Sequence, residues 1–502
     1  MRSVFSRWRQ AAPVLAYALL LAAAVLFFCS KSSFGYPIND WSDANIYFTI
    51  GKGMTRGQVV YRDLYDHKGP LLYALHALCA LVSFDDFTGV YLMEVLFAAA
   101  FLAAVHQLLR LFGVRRAAWL LLPVLSLLVY SSASFAQGDS AEELCLPLMA
   151  WSLYSVLAHF RAGRSRMPAW ELLVNGLLAG CVLWMKFTIC GVHAGLLLML
   201  LLAEPLRRRD VRGMWRTLGW LAAGVGLSTL PWVLYFGLNG ALGDWLGTYF
   251  YDNLFLYSAA GEAAGLLQHV KAMLLCGWEW LRDNLRYTLL VAAGLGWFAM
   301  RRPGRAAMWL AAIAGAVGVF AGGKSYPYYG LALSVFAPLG LIPAGLAVER
   351  ALRRLSPRAL CACSGAALLA CVGLCPLLSG NMTADYGASF GQPREETMQY
   401  RIAAHLEKDA TLLNYGFMDA GFYTAAGLVP SVKYFHQTNV PLEEMLDEQN
   451  RYLREGLCEY VVTRGKQPDW IGERYELIAT EPSPNFWYDA VYLYRQRPLS
   501  SR

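Results

Sequence analysis

The chain has 502 residues, of which 57% are hydrophobic and 14% aromatic, and its mean hydropathy is +0.37. Such a composition excludes a string of soluble domains and describes a multi-span membrane protein with one embedded helix bundle. The formal net charge of +7 comes from Lys and Arg clustered between apolar runs, where membrane topology alone would put them, so a nucleic-acid partner has no support.

From the N-terminus, basic Met1–Arg9 precedes the apolar run Ala11–Cys29. The run is long and no small-residue cleavage site follows it, which predicts an uncleaved first span with a cytoplasmic N-terminus. Asp40–Pro70 then breaks the apolar pattern with Asp40, Asp43, Lys52, Arg56, Arg62, Asp63, Asp66, His67 and Lys68, in a chain only 16% charged overall. Charge of that density beside a bilayer points to chemistry at the water interface.

Further apolar runs lie near 89–112, 117–135, 142–160, 170–185, 187–203, 216–237, 286–300, 306–321, 328–348 and 359–378. Basic clusters separate them at Arg110/Arg115/Arg116, Arg161/Arg164/Arg166, Arg207/Arg208/Arg209, Arg301/Arg302/Arg305 and Arg350/Arg353/Arg354/Arg358. Placing every cluster inside requires eleven spans and an external C-terminus. The short run Leu71–Phe84 is then a re-entrant or interfacial helix ending at Asp85-Asp86; if it crosses, there are twelve spans and one cluster is misplaced. The external face receives the first loop (30–70), Gln137–Glu143, the turn at Lys186, the long loop Leu238–Leu285, Gly322–Tyr329 and everything after Gly380.

Beyond residue 380 the chain changes character. Thr411–Tyr415, Glu459–Thr463 and Ala490–Tyr494 read as short strands, and Glu395–Lys408 and Pro441–Gly456 have helical spacing. The predicted fold class is therefore mainly α, a polytopic bundle of about 11 to 12 spans over 1–379 with a small extracytoplasmic α/β domain over 380–502. Asn381-Met382-Thr383 matches a glycosylation sequon, a pattern that also arises by chance. Most of the 11 cysteines lie in apolar runs at no metal-ligand spacing and read as small core residues. His76, His106 and His193 are scattered singly and read as core or interface residues.

Asp43, then Val60-Tyr61-Arg62-Asp63 and His67-Lys68-Gly69-Pro70-Leu71-Leu72, resembles the first external loop of the GT-C type, membrane-embedded glycosyltransferases that use polyprenyl-phosphate sugars. That superfamily includes the protein O-mannosyltransferases and the bacterial transferase that puts aminoarabinose on lipid A. The resemblance continues at Gly138–Glu143, at Gly180 to Lys186-Phe187-Thr188, and from Lys324 through Tyr328-Tyr329 to Pro338. Two departures are Asp43-Ala44, where many members have an acidic pair, and Gly69-Pro70, where many have two prolines.

The resemblance implies an inverting transfer from a polyprenyl-phosphate sugar to an extracytoplasmic acceptor in the cell envelope, be it glycan, lipid or protein, at a plasma membrane of bacterial type. Such a reaction takes a carboxylate base near the sugar and cations on the departing phosphate. Asp43 is the implied base, its structural alternative being a helix N-cap. His67 and Lys68 are assigned to the phosphate, the alternative being side chains that reach for lipid headgroups. Lys186 and Lys324 lie in or beside apolar runs, where a charge costs about 2.5 to 3.5 kcal/mol at helix-centre depth, and an anionic ligand would offset that cost. Asp139 and Glu142 form a second acidic site that orients the acceptor, holds Lys68 or binds a divalent ion, or else simply begins the span from 142. Tyr328 and Tyr329, with Tyr249, Tyr251 and Trp245, are sugar-stacking candidates or members of an interfacial belt. No cofactor is required by the sequence, though a divalent cation is compatible with it. Two other classes stay open: a polymerase, ligase or flippase for lipid-linked glycans, and a noncatalytic membrane scaffold.

Overall fold

The computed structural model describes residues 2–257, 265–300, 304–383, 388–483 and 489–498, with side chains excepted at 2–10 and 203–208. Of the basic clusters, Arg301 and Arg302 lie outside the described residues, and Arg207 and Arg208 are described by backbone alone. The chain divides into two compact units: one of Met1–Ser30, Met93–Pro231 and Ala263–Thr383, the other of Lys31–Leu92, Trp232–Glu262 and Ala384–Arg502.

Every predicted apolar run is helical. Among the described residues six helices are long and apolar enough to cross a bilayer: Ala11–Cys29, Thr88–Leu111, Ala141–Arg161, Val211–Leu238, Pro327–Leu352 and Pro357–Leu378. Shorter apolar helices cover the remaining runs at Ala117–Tyr130, Ala169–Leu183, Phe187–Leu202, Leu285–Ala299 and Arg305–Phe320. The chain is accordingly a multi-pass membrane protein. In the first unit, helix pairs approach closely at small residues, as they must where lipid removes the hydrophobic drive to associate. A Cβ on Gly340 would fall 2.1 Å from the Leu290 carbonyl oxygen, which is why Leu285–Ala299 packs tightly on Pro327–Leu352.

Contacts among the loops sort the ends of this unit. Glu349 accepts the backbone N–H groups of Arg115, Arg116 and Ala117 at 3.0 to 3.1 Å, placing a carboxylate on the positive N-terminus of helix Ala117–Tyr130. The Arg116 guanidinium returns bonds to the carbonyls of Leu352 and Leu355. Arg161 lies 4.9 Å from the Phe112 ring, and Arg166 pairs with Asp210. These contacts bring several of the basic clusters to the same end. At the other end, Asn381 Nδ2 donates to the carbonyls of Cys29 and Ala136, and Arg286 donates to those of Ser131 and Leu378. The amide nitrogen of the sequon is thus engaged with main-chain oxygens.

The second unit joins the first loop to the tail. Helix Ser42–Thr55 lies on helix Pro70–Ala80, with Gly51 against the His76 backbone. The latter helix has 11 residues and rises about 16 Å, roughly half of the hydrocarbon thickness. The tail builds a four-stranded sheet in the order β1 (Leu412–Asn414), β2 (Tyr460–Thr463), β4 (Ala490–Gln496), β3 (Tyr475–Pro482). β1 and β2 are parallel, joined through helix Glu443–Glu455, which buries Met445, Gln449, Tyr452 and Leu453. β4 runs antiparallel to both β2 and β3.

Three differences from the sequence expectations stand out. Helix over 395–408 shrinks to the turn Arg394–Glu396 and Met398–Ala403, because His405 and Leu406 bond back only three residues and tighten the chain to a stop. β3 was not expected; its burial does not alternate cleanly along the strand, so its sequence shows no strong period of two. Within Leu238–Leu285 three helices occur among the described residues: the short Leu242–Leu246, Gly247–Tyr257 with π geometry and the amphipathic Leu266–Asp283.

Candidate functional site

In the second unit, Asp43 occupies the first turn of helix Ser42–Thr55, one place after Ser42, while Trp41 holds the cap position. A carboxylate there is favoured by the helix dipole. Its side chain is 7% exposed and accepts a hydrogen bond from the Tyr47 hydroxyl at 3.1 Å, the i, i+4 partner on the same helix face.

Three successive residues of the loop, Asp66, His67 and Lys68, lie near Asp43, and the Tyr73 ring that supports them is 6.3 Å from the Tyr47 ring. The Tyr73 hydroxyl donates to Asp66 Oδ2 at 2.6 Å and accepts the Lys68 backbone N–H at 2.9 Å. Asp66 Oδ1 is 3.2 Å from His67 Nδ1, close but not aligned as a hydrogen bond. His67 Nε2 is 3.2 Å from Lys68 Nζ. Since an ammonium only donates, His67 accepts through Nε2 and carries its proton on Nδ1, toward Asp66. The Tyr61 hydroxyl, on a residue with φ of 72°, donates to the Lys68 carbonyl at 2.6 Å.

The electrostatics agree with that assignment. Burial opposes ionisation of Asp66, but the His67 contact and the charges of His67, Lys68 and His436 hold its carboxyl well below the usual range. Burial and the Lys68 cation push the His67 imidazole below its ordinary value, against the pull of Asp66 and Asp43. At neutral pH the row is an anion, a neutral imidazole and an ammonium.

Other segments of the same unit support this row. Asn253 Nδ2 donates to the His67 carbonyl at 2.7 Å, and the Tyr257 ring lies 5.2 Å from the His67 ring. Tyr65 donates through its hydroxyl to Asp252 at 2.7 Å and through its amide to the Lys433 carbonyl at 3.1 Å. Sequence reasoning missed Asp66, Tyr73, Asn253 and His436 as site residues. The i, i+4 spacing of Asp43 and Tyr47 and the acid in Asp66-His67-Lys68 were readable signals. Nothing local marks Asn253 or His436.

In the first unit, Lys186 ends the irregular turn after helix Ala169–Leu183, and its Nζ lies 2.5 Å from Glu142 Oε1. The same ammonium lies 3.8 Å from the centre of the Tyr329 ring and 5.3 Å from that of Tyr328. Glu142 and Lys186 are thus partners. Asp139 is fully buried, with a left-handed φ of 61° after Gly138 at 88°. Its backbone N–H is shared by Glu94 Oε1 and Glu143 Oε2, each at 2.9 Å. Ser140, not Asp139, caps the following helix by accepting the Glu143 N–H. Ser30 donates to Glu94 at 2.8 to 2.9 Å, so Ser30, Glu94, Asp139, Ser140 and Glu143, all buried, gather at the start of the helix at 141. Lys324 is part-exposed ahead of Pro327.

Trp245 and Tyr249 are 2% and 1% exposed, with Trp245 stacked on Phe236 at 4.9 Å, so these two pack in the core of the second unit. His76 bonds the Leu72 carbonyl and His193 the Ser152 hydroxyl. Among the described residues, no group of three His, Cys, Asp or Glu is placed to hold a metal ion.

No family model matches the sequence, and no curated protein matches it. Among solved structures, ArnT from Cupriavidus metallidurans in the apo state superposes with a TM-score of 0.60, at 15% identity over 95% of this chain and 98% of that one. ArnT from the same organism bound to undecaprenyl phosphate superposes with a TM-score of 0.57 at the same identity and coverage. The resemblance to GT-C type membrane glycosyltransferases read from the first loop therefore holds at the level of the fold, over nearly the whole chain.

Proposed function

We propose that this chain is an inverting glycosyltransferase that moves a sugar from a polyprenyl-phosphate donor to an acceptor in the cell envelope. The observation that carries the reading is the juxtaposition, in one loop, of a buried Asp43 held by Tyr47 with the Asp66-His67-Lys68 row. The shared fold with an ArnT that binds undecaprenyl phosphate supports the donor class.

In this mechanism the acceptor hydroxyl gives its proton to the Asp43 carboxylate as its oxygen forms the new bond to the anomeric carbon. The carbon–oxygen bond to phosphate breaks on the opposite face, its electron pair leaving with the polyprenyl phosphate, and the anomeric centre inverts. Lys68, steadied by His67, meets the charge that grows on the departing phosphate. Lys186 and Lys324 are assigned as further phosphate cations, Asp139 and Glu142 as the second acidic site, and Tyr328 and Tyr329 as sugar contacts. The arrangement requires the N-terminus to lie inside and both the first loop and the C-terminal α/β segment to lie outside the cytoplasm, with one span before the first loop and ten between it and that segment.

The test is transfer from an undecaprenyl-phosphate sugar by the purified protein. Asp43→Asn keeps an oxygen to accept the Tyr47 hydroxyl but removes the base, so the rate should fall by about a hundred- to ten-thousandfold. Transfer at the parental rate by this variant overturns the assignment, and if Asp139→Asn alone is inactive the base is Asp139.

A further inference from the structure

The tail contributes a strap, residues 433–437, to the loop that carries His67 and Lys68. Its main chain is tied to the sheet end by Asn414 N–H to the Phe435 carbonyl at 3.0 Å and by Gln437 N–H to the Phe417 carbonyl at 2.9 Å. Gln449 of helix Glu443–Glu455 adds a bond from Nε2 to the Tyr434 carbonyl at 3.0 Å. On its other edge the strap holds Tyr65 three ways. The Lys433 carbonyl accepts the Tyr65 N–H at 3.1 Å, the Tyr434 ring lies 5.4 Å from the Tyr65 ring, and His436 sits between two carbonyls, Nε2 3.3 Å from that of Tyr65 and Nδ1 2.9 Å from that of Gln437, its single N–H serving one of them. His436 is 1% exposed and packs on Phe435 at 4.3 Å.

We infer that this strap positions the donor-phosphate corner, with His436 and Tyr434 as positioning residues that act on Lys68 through Tyr65. The inference rests on the proposed function for its ligand, but not for its geometry. Tyr65 is held at its amide and its ring, with the His436 ring packed against its carbonyl, so the two peptide units between it and His67 have little room to turn. Lys68 then starts from a fixed backbone, held further by Tyr73 and Tyr61. A cation preorganised in this way spends less of its interaction with phosphate on ordering. The C-terminal α/β segment is on this reading part of the donor site, not an independent acceptor-binding module.

Two measurements on the full chain in detergent test the inference. Hydrogen exchange at the amides of 64–69 reads the strap without any ligand, and titration with undecaprenyl phosphate reads the corner. His436→Phe keeps a ring on Phe435 and loses both nitrogens; exchange should quicken about three- to tenfold and undecaprenyl phosphate affinity should fall by a similar factor. His436→Gln retains an amide donor and should recover most of both. If His436→Phe fails to fold, Tyr434→Leu, which leaves the main-chain bonds of the strap in place, should move both readouts in the same direction. Unchanged exchange in a folded variant overturns the strap, and quickened exchange with unchanged affinity overturns its role at the phosphate. A parental protein that binds no undecaprenyl phosphate overturns the proposed function, and quickened exchange in the variant then upholds the strap alone.

Discussion

Lys186→Met removes an ammonium that sits 2.5 Å from Glu142, with the two side chains 11% and 2% exposed. The other Glu142 oxygen, Oε2, already has no hydrogen-bond partner. Deleting Lys186 therefore strands a buried carboxylate, a change that costs about 3 to 5 kcal/mol when one member of such a pair is removed. The lost ammonium contact with the Tyr329 ring, 3.8 Å away, adds about 1 to 2 kcal/mol. Pairing the change with Glu142→Gln removes the stranded charge and should bring the protein back to within about 2 kcal/mol of the parent. Unfolding in detergent by the two single variants and the double variant closes a double-mutant cycle, with a coupling of about 2 kcal/mol or more expected. A Lys186→Met protein within about 0.5 kcal/mol of the parent would refute the pairing. If the double variant is stable yet binds undecaprenyl phosphate as tightly as the parent, Lys186 is a structural partner of Glu142 and not a phosphate cation.

Lys68→Ala should weaken donor use and lower turnover, while Lys68→Arg keeps the charge but misplaces it; normal transfer by folded Lys68→Ala rejects its phosphate role. Tyr73→Phe removes the acceptor for the Lys68 amide and a donor to Asp66, so it should raise the KM for donor more than that for acceptor in steady-state assays. Lys52 is fully buried, donating to the Tyr423 carbonyl, and burial lowers its pKa to about 7, against the pull of Asp419 and Asp85. The unfolded chain holds that proton until about pH 10.5, so stability from this group rises between about pH 7 and 10. Melting curves of Lys52→Met should lack that rise, and a parental curve flat over the interval would disprove the shift. Tags at Arg164 and Arg354 should report cytoplasm and a tag after Gly380 the outside; a cytoplasmic report after Gly380 breaks the proposed orientation.

The helical runs are legible because each is a long block of apolar residues, and the charge of the first loop because Asp43, His67 and Lys68 stand out against such blocks. Strands β1, β2 and β4 are readable from short runs of apolar and aromatic residues at Thr411–Tyr415, Glu459–Thr463 and Ala490–Tyr494. What could not be read was partnership across sequence. Glu142 and Lys186 are each visible as a charge, but nothing in either run says that they meet, and Glu94 inside an apolar helix gave no sign that it supports Asp139. The helix Leu266–Asp283 escaped for a local reason: charged and polar residues interrupt its leucines often enough to look like loop, although the leucines share a face. Residue type makes Trp245 and Tyr249 sugar-stacking candidates or belt members alike, whereas the structure buries both within the second unit.

Tyr65 and the His436 that faces it are separated by 371 positions. At the usual synthesis rate of roughly 5 to 20 residues/s, the ribosome needs about 20 to 75 s to deliver the second after the first. In the proposed orientation the loop has for that interval left the translocon without its eventual support, and its backbone must rest on water or on a chaperone. A premature stop after Leu378 would leave a chain with every apolar helix inserted and none of the 433–437 strap. Such a product would pass a membrane-insertion check and still be incomplete, so quality control for this protein has to act after the last residue is made.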